Sequence, residues 1–292
     1  MKYGILGPYM TGTDRQRLLE WFRRVEEGPF ATIATGERVV WPQIEQHAFL
    51  AAAAAVTERV RVMSHIMIVP MHPPVLLAKR LASIDVISGG RFTLGVGTGV
   101  RTDDYQAANA SFTARWRRLD EAVAIMKRVW AGEPPWDGAE VPVGPRPVQP
   151  GGPPIFTSAS GESSLARAAK WADGWQGAIM DVDRQTLDTQ VRAHLDAWER
   201  AGRSERPYLM NSLWFALGDD DAQQVLSDTA NAYYGLPPGS VTSHGTLPVH
   251  SADGVKMAVD NCREAGFDEL VFIPLSDDLR QLDLLETALT QI

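Results

Sequence analysis

The chain has 292 residues, of which 45% are apolar and 22% charged, a globular composition with enough apolar side chain to close a large core, which excludes a disordered chain. The 28 basic and 36 acidic residues leave a net charge of −8, and no cluster of Lys and Arg offers the positive stripe that a nucleic-acid surface needs. Cys262 is the only cysteine, so no intrachain disulfide and no thiolate metal cluster can form, and a reducing, cytoplasmic setting is expected.

Short β-branched runs alternate with longer segments of helical period, the pattern of parallel βαβ units. The first strand is predicted at Tyr3–Gly7, with no basic segment and apolar core of a signal peptide ahead of it, then a helix over Thr13–Glu26 capped by Thr13 or Asp14. Ala31–Thr35 reads as the second strand and Gln43–Thr57 as its helix. Ala48–Val62 is interrupted by Glu58, Arg59 and Arg61, short of the roughly 20 apolar residues that cross a bilayer, so no membrane partner is expected. The third strand is Val60–Ile68, with a helix starting near Pro74, whose fixed φ suits a first turn. Phe92–Val96 is the fourth, followed by a helix over Phe112–Ala131. Gly132–Pro153 is too rich in Pro and Gly for a long element and is read as an excursion with a short hairpin around Ala139–Val143.

The fifth strand is Pro154–Thr157 with a helix over Glu162–Ala172, and the sixth is Trp175–Ile179 with a helix over Arg184–Ala201. Leu209–Leu217 is the seventh, and Asp219–Asp221 then read as the cap of a helix, not a metal site. A second loop over Gly235–His250 precedes a helix over Ala252–Glu264, the eighth strand Glu269–Ile273 and a last helix over Asp278–Leu289. Eight strands with their helices, and a first turn Gly7-Pro8-Tyr9-Met10 without the glycine pattern of an open nucleotide-binding sheet, point to a (β/α)8 barrel. It is one domain over 1–292, with insertions after the fourth and seventh helices.

In such a barrel the chemistry belongs at the C-terminal strand ends, and here those ends are small and hydroxylated: Thr35-Gly36-Glu37-Arg38, Ser64-His65, Gly97-Thr98-Gly99 and Ser158-Ala159-Ser160-Gly161. Thr157–Gly161 ahead of a helix is either a phosphate cradle of amides and hydroxyls or an ordinary serine cap. Gly95-Val96-Gly97-Thr98-Gly99 imitates a dinucleotide fingerprint but has Val100 next, so it shows only a close approach to the strand. The six histidines lack metal-binding spacing, and His65 and His72, flanking Pro70, read as satisfied structural histidines. No Gly-x-Ser-x-Gly elbow supports a hydrolase, and of the nine tryptophans Trp41 and Trp214 stand near strand ends.

Pro42–Gly99, and within it Ser88-Gly89-Gly90-Arg91-Phe92 through Gly99, resembles the luciferase-like monooxygenase family, and Arg118–Trp130, Pro153–Ile155, Ser160-Gly161 and Ala168–Trp175 extend the likeness. The resemblance implies a barrel that binds coenzyme F-420, a deazaflavin, or alternatively FMN, with the ring across the strand ends and phosphate at Ser158, Ala159, Ser160 and Gly161. It places Ser64 and His65 behind the ring at a bulge where relatives often have a cis peptide, with Thr35, Thr98 and Gly99 beside the cofactor. Many deazaflavin relatives carry Asp-His after strand two; this chain has Glu37-Arg38, which speaks against a sugar-phosphate dehydrogenase and leaves Glu37 and His65 as the catalytic candidates, with Asp103 and Asp104 as nearby acids.

The activity so implied is hydride transfer between the deazaflavin and a small organic substrate. The alternatives are an FMN-dependent monooxygenase that uses reduced flavin and oxygen, supplied by a separate reductase, and a non-catalytic cofactor-binding protein. The resemblance also implies a homodimer, and the loops 132–153 and 235–250 are expected to form the wall and lid of the pocket.

Overall fold

In the computed structural model, which describes residues 1–8, 13–218, 221–235, 237, 239–240 and 249–292, every strand runs parallel. The strands are β1 (Lys2–Leu6), β2 (Thr32–Thr35), β3 (Arg61–Ser64), β4 (Met67–Ile68), β5 (Phe92–Gly97), β6 (Ile155–Thr157), β7 (Gly174–Gly177), β8 (Tyr208–Phe215) and β9 (Glu269–Pro274). Their order is β3-β2-β1-β9-β8-β7-β6-β5-β4, and β3 also pairs with β5, which closes the ring. β3 and β4 share one stave, since Val62 faces Phe92 and Met67 faces Val96 on the same neighbour β5. The architecture is a (β/α)8 barrel of eight staves. The third strand, expected as one run over Val60–Ile68, is interrupted between Ser64 and Met67, where the His65–Ile66 peptide is cis.

The helices are α1 (Arg15–Glu27), α2 (Gln46–Val56), α3 (Pro74–Ile87), α4 (Thr102–Ala107), α5 (Arg115–Trp130), α6 (Glu162–Ala168), α7 (Arg184–Arg200), α8 (Ala222–Tyr234), α9 (Ala252–Ala265) and α10 (Arg280–Leu289). α1 shows how local sequence sets an element: Asp14 caps it by accepting the Arg17 amide at 2.9 Å, and Leu18, Trp21, Phe22 and Val25 fall on one buried face. Each of these burials stabilises the fold by about 1.5–3 kcal/mol relative to exposure. A charge at Phe22, which meets Phe49 of α2 edge to face at 5.1 Å, would break that seam.

Arg59 and Arg91 close the N-terminal end of the barrel from outside. Arg59 donates to the carbonyls of Phe30 (2.8 Å) and Gly28 (3.0 Å) after α1, and Arg91 to those of Ala54 (3.0 Å) and Thr57 (2.6 Å) at the end of α2. Helix C-termini leave carbonyls unpaired, and these guanidinium groups satisfy them. Inside, Arg61 of β3 pairs with the fully buried Glu269 of β9, which also accepts the Tyr208 hydroxyl at 2.7 Å. That plug leaves the C-terminal strand ends as the side that can open.

The 132–153 excursion departs from expectation in two ways. No strand forms around Ala139–Val143, where Val141 is 76% exposed and finds nothing to pair with. Nor does the segment wall the pocket: Gln149 lies beside Arg91 and Phe92 at the opposite end, because a loop that enters a strand approaches its N-terminus. Asp85 anchors it there, accepting the amides of Val148 (2.7 Å) and Gln149 (3.1 Å). The predicted lid over 235–250 falls largely outside the described residues, as do Asp219 and Asp220; Asp221 occupies the N-cap position of α8 without a side-chain capping bond. The short helix α4 was not expected. No helix among the described residues is long and apolar enough to cross a membrane.

Candidate active site

The interruption between β3 and β4 shapes the site. The Ser64 hydroxyl is fully buried and clasps the next stave, donating to the Gly95 carbonyl and accepting the Gly95 amide, both at 2.9 Å. Any side chain at Gly95 would collide with this junction, as a Cβ would lie 2.2 Å from the Ser64 carbonyl oxygen and 1.6 Å from Gln176 Nε2. At Gly97 a Cβ would lie 2.1 Å from Ile66 Cδ1 and 2.6 Å from Ser158 Oγ. The glycines on β5 are thus explained by close approach of the neighbouring stave and not by a nucleotide fingerprint.

Two adjoining cavities lie at the strand ends. The outer one, about 510 Å³, runs from Glu37 and Arg38 past Thr98 and Gly99 to Ser160 and Arg167, within the size range of small-molecule sites. The inner chamber, about 180 Å³, lies between His65, Gln176, Ser212 and Trp214. Ile66, Ser158, Ala178, Tyr233 and Tyr234 line both.

Polar atoms in the inner chamber are left waiting. His65 Nε2 and Gln176 Oε1 are buried and have no hydrogen-bond partner among the described residues. Burial pushes the His65 imidazole down to about 4, so it is neutral at physiological pH and can donate or accept according to its tautomer. Leaving such atoms unpaired costs about 1–3 kcal/mol each, which a planar, hydrogen-bonding heterocycle would recover.

At the outer end, the turn between β6 and α6 is fixed by Thr157 Oγ1, which accepts the Ala159 amide at 3.1 Å, and by Trp175 Nε1, which donates to the Ala159 carbonyl at 2.8 Å. Gly161, at φ 83°, starts α6 with no side-chain cap, so the first amides of the helix have no capping side chain. Arg167 lies in the cavity wall with its guanidinium over the Trp116 ring at 5.1 Å and its Nε 3.3 Å from Asp120.

The roof is held electrostatically. Arg38 is buried against Asp104 of α4, Nε to Oδ2 at 2.8 Å, while Asp104 Oδ1 accepts the amides of Val39 and Val40. Arg38 and Arg101 both face the Tyr233 ring, at 5.5 and 5.2 Å, and Tyr233 meets Trp41 and Trp214. The C-terminal turn of α8 is thereby pinned over the cavity by cation–π contacts.

The sequence-predicted residues divide accordingly. Glu37, Thr98, Gly99, Ser158, Ala159 and Ser160 line the outer cavity, and His65 the inner chamber. Thr35 is buried, its carbonyl accepting the His65 amide at 2.8 Å, and neither it nor Ser64 reaches a cavity wall; Gly161 stands just outside it. Glu37 is largely buried: its side chain is 7% exposed, Oε2 accepts the Ile68 amide, and Oε1 meets His72 Nε2 at 2.8 Å. Asp104 supports Arg38, and Asp103, at 3.9 Å from Arg38, is half exposed. Trp116 and Trp171, which the sequence did not place near strand ends, line the cavity; Arg167, Gln176, Tyr233 and Tyr234 gave no local signal. No group of three potential metal ligands occurs among the described residues.

Comparison with known proteins agrees with this geometry. The family model described as luciferase-like monooxygenase matches residues 2–270. An uncharacterized protein of Mycobacterium tuberculosis is 35% identical over 197 residues, 65% of this chain and 69% of that protein. An F-420-dependent glucose-6-phosphate dehydrogenase of Kineococcus radiotolerans is 29% identical over 237 residues, 75% of this chain and 66% of the relative. Monooxygenase RslO1 from Streptomyces bottropensis superposes with a TM-score of 0.82 at 24% identity, covering 100% of this chain and 99% of its own. With its closed parallel barrel, interrupted third stave and cavity at the strand ends, the chain belongs to the luciferase-like monooxygenase family and is an oxidoreductase.

Proposed function

We propose that the protein is a coenzyme F-420-dependent oxidoreductase acting on a small organic substrate. One observation carries this reading: two adjoining cavities that share five lining residues, the inner one holding two unpaired polar atoms, His65 Nε2 and Gln176 Oε1, and the outer one reaching Ser160 and Arg167 near the uncapped start of α6. A long cofactor with a planar polar ring at one end and phosphate at the other matches both ends. When bound, a deazaflavin supplies a carbon that accepts or donates a hydride.

His65 and Gln176 would hold the polar edge of the ring, Ile66 and Gly97 leave room for its face, and Ser158, Ser160 and Arg167 would hold the phosphate arm. Tyr233 and Tyr234 line the space above the strand ends. Glu37, the carboxylate of the outer cavity nearest the interrupted stave, would exchange a proton with a substrate oxygen. The F-420-dependent relative at 29% identity supports the deazaflavin over FMN.

Titration of the purified protein, read by tryptophan fluorescence with coenzyme F-420 and FMN in parallel, tests the reading, since Trp116, Trp171 and Trp214 line the cavities. Preferential binding of the deazaflavin is the expected result. Preference for FMN would replace the proposal with an oxygen-using monooxygenase, and binding of neither would sink it.

A further inference from the structure

Three cationic side chains line the outer cavity, Arg38, Arg101 and Arg167, and they differ in what holds them. Arg38 is tied to Asp104 at 2.8 Å, and Arg167 Nε lies 3.3 Å from Asp120. The half-buried Arg101 has neither a carboxylate nor a hydrogen-bond acceptor for its guanidinium among the described residues. What it does meet is the face of the Tyr233 ring, 5.2 Å away. Asp103, two positions on, is turned to Arg38 instead, at 3.9 Å.

The chain around Arg101 explains why its charge stays at the cavity wall. Gly99, at φ 62°, turns the backbone out of β5, and Arg101 stands directly before α4, which buries Asp104 and Tyr105. The Tyr105 hydroxyl donates to the Thr98 carbonyl at 2.6 Å and closes that turn from behind. Arg38 lies over the same Tyr233 ring at 5.5 Å and follows Glu37 in the chain, so Arg101 belongs to the Glu37 side of the cavity, whereas Arg167, on α6, belongs to the Ser160 side. Burial is the main influence raising the Tyr234 hydroxyl, and Arg101 acts to lower it, so the charge reaches that side chain as well.

The geometry points to Arg101 as the residue that selects substrate charge: the substrate of this oxidoreductase bears a carboxylate, and Arg101 holds it on the Glu37 side of the outer cavity. The inference rests on the proposed function for the reaction and adds the class of substrate. A guanidinium offers a carboxylate two parallel N–H donors, and such charge-assisted bonds are about twice as strong as neutral ones. A phosphate would suit the same fork. Glu37, 7% exposed in the same cavity, repels a dianion about twice as strongly as a monoanion, which favours the carboxylate. Tyr233, Tyr234 and Trp116 also line this cavity and suit an apolar body behind the charged group.

The test titrates ¹⁵N-arginine-labelled protein with benzoate, phenylacetate and phenylpropanoate, each beside its neutral amide, and with inorganic phosphate. Nuclear magnetic resonance follows the Arg101 Nε–H signal, identified as the one that Arg101→Gln removes. At least one carboxylate is expected to shift that signal with at least tenfold higher affinity than its amide. Read by tryptophan fluorescence, the preference should vanish in Arg101→Gln, survive in part in Arg101→Lys and persist in Arg167→Gln. No preference for the acid in any of the three pairs, or a stronger response of Arg101 to phosphate than to every carboxylate, overturns the inference. The titrations are made on the protein alone and then with coenzyme F-420 bound. Arg101→Gln should leave coenzyme affinity within about twofold of wild type; a larger loss assigns Arg101 to the coenzyme and overturns the inference. Failure of the coenzyme to bind refutes the proposed function, while the acid-over-amide preference of the protein alone still decides the role of Arg101.

Discussion

Replacing Asp104 by Ala strikes the support of the cavity roof. The Asp104 side chain is fully buried and that of Arg38 is 6% exposed, so the substitution leaves a guanidinium in the interior without its carboxylate. Breaking a buried pair from one side costs about 3–5 kcal/mol. The amides of Val39 and Val40 also lose their acceptor, but both residues are nearly half exposed and regain water, so they add little. Asp103, 3.9 Å from Arg38 Nη2, compensates in part, which sets the expectation at the low end, ~3 kcal/mol. Domains are stable by roughly 5–15 kcal/mol, so the loss is a large fraction and readily measured. Urea unfolding should show a lower midpoint at unchanged slope. The double variant Arg38→Met with Asp104→Leu, which removes both charges, should recover to within about 1 kcal/mol of wild type. A loss below about 1 kcal/mol for Asp104→Ala, or a double variant no better than the single one, would refute the account of the roof.

Two further outcomes follow from the inner chamber. Because His65 is held at about 4 in the folded state against an ordinary 6.5, the unfolded chain takes up its proton first. Stability contributed by neutral His65 is therefore full above pH 6.5, falls as pH drops toward 4 and is flat below it. At pH 5 the loss is at most about 2 kcal/mol, and it should be missing from the urea-unfolding profile of His65→Gln; identical profiles would contradict the assignment. Gly97→Ala forces Ile66 and Ser158, which line both cavities, to move, so cofactor affinity in the fluorescence titration should fall at least tenfold while stability drops by ~1–3 kcal/mol. Unchanged affinity would separate the cofactor from that junction.

Much of the architecture was legible because the signals are local. Parallel strands covered on both faces read as nearly continuous apolar runs, as in Leu270–Pro274 of β9, and the helices between them bury one stripe, as α1 does with Leu18, Trp21, Phe22 and Val25. The small residues at Thr98-Gly99 and Ser158-Ala159-Ser160 marked the cavity wall, since close approach demands small side chains wherever the ligand comes from. Thr35 and Ser64 look the same in sequence, yet their neighbours claim them: Thr35 for a backbone ladder, Ser64 for both polar groups of Gly95.

The third stave reads as one continuous strand, and its break at the His65–Ile66 peptide depends on how Ser64 and Ile66 meet Gly95 and Gly97 across the sheet. The pairing of Arg38 with Asp104, 66 positions apart, and of Glu37 with His72, 35 apart, leaves no periodicity to detect. The sequence alone determined the succession of strands and helices and the end of the barrel where small polar residues gather, because backbone periodicity and propensity act over a few residues. Only the tertiary structure decided which polar side chains are satisfied by the protein and which face the cavity, because burial and hydrogen bonding are settled by partners that barrel closure brings together.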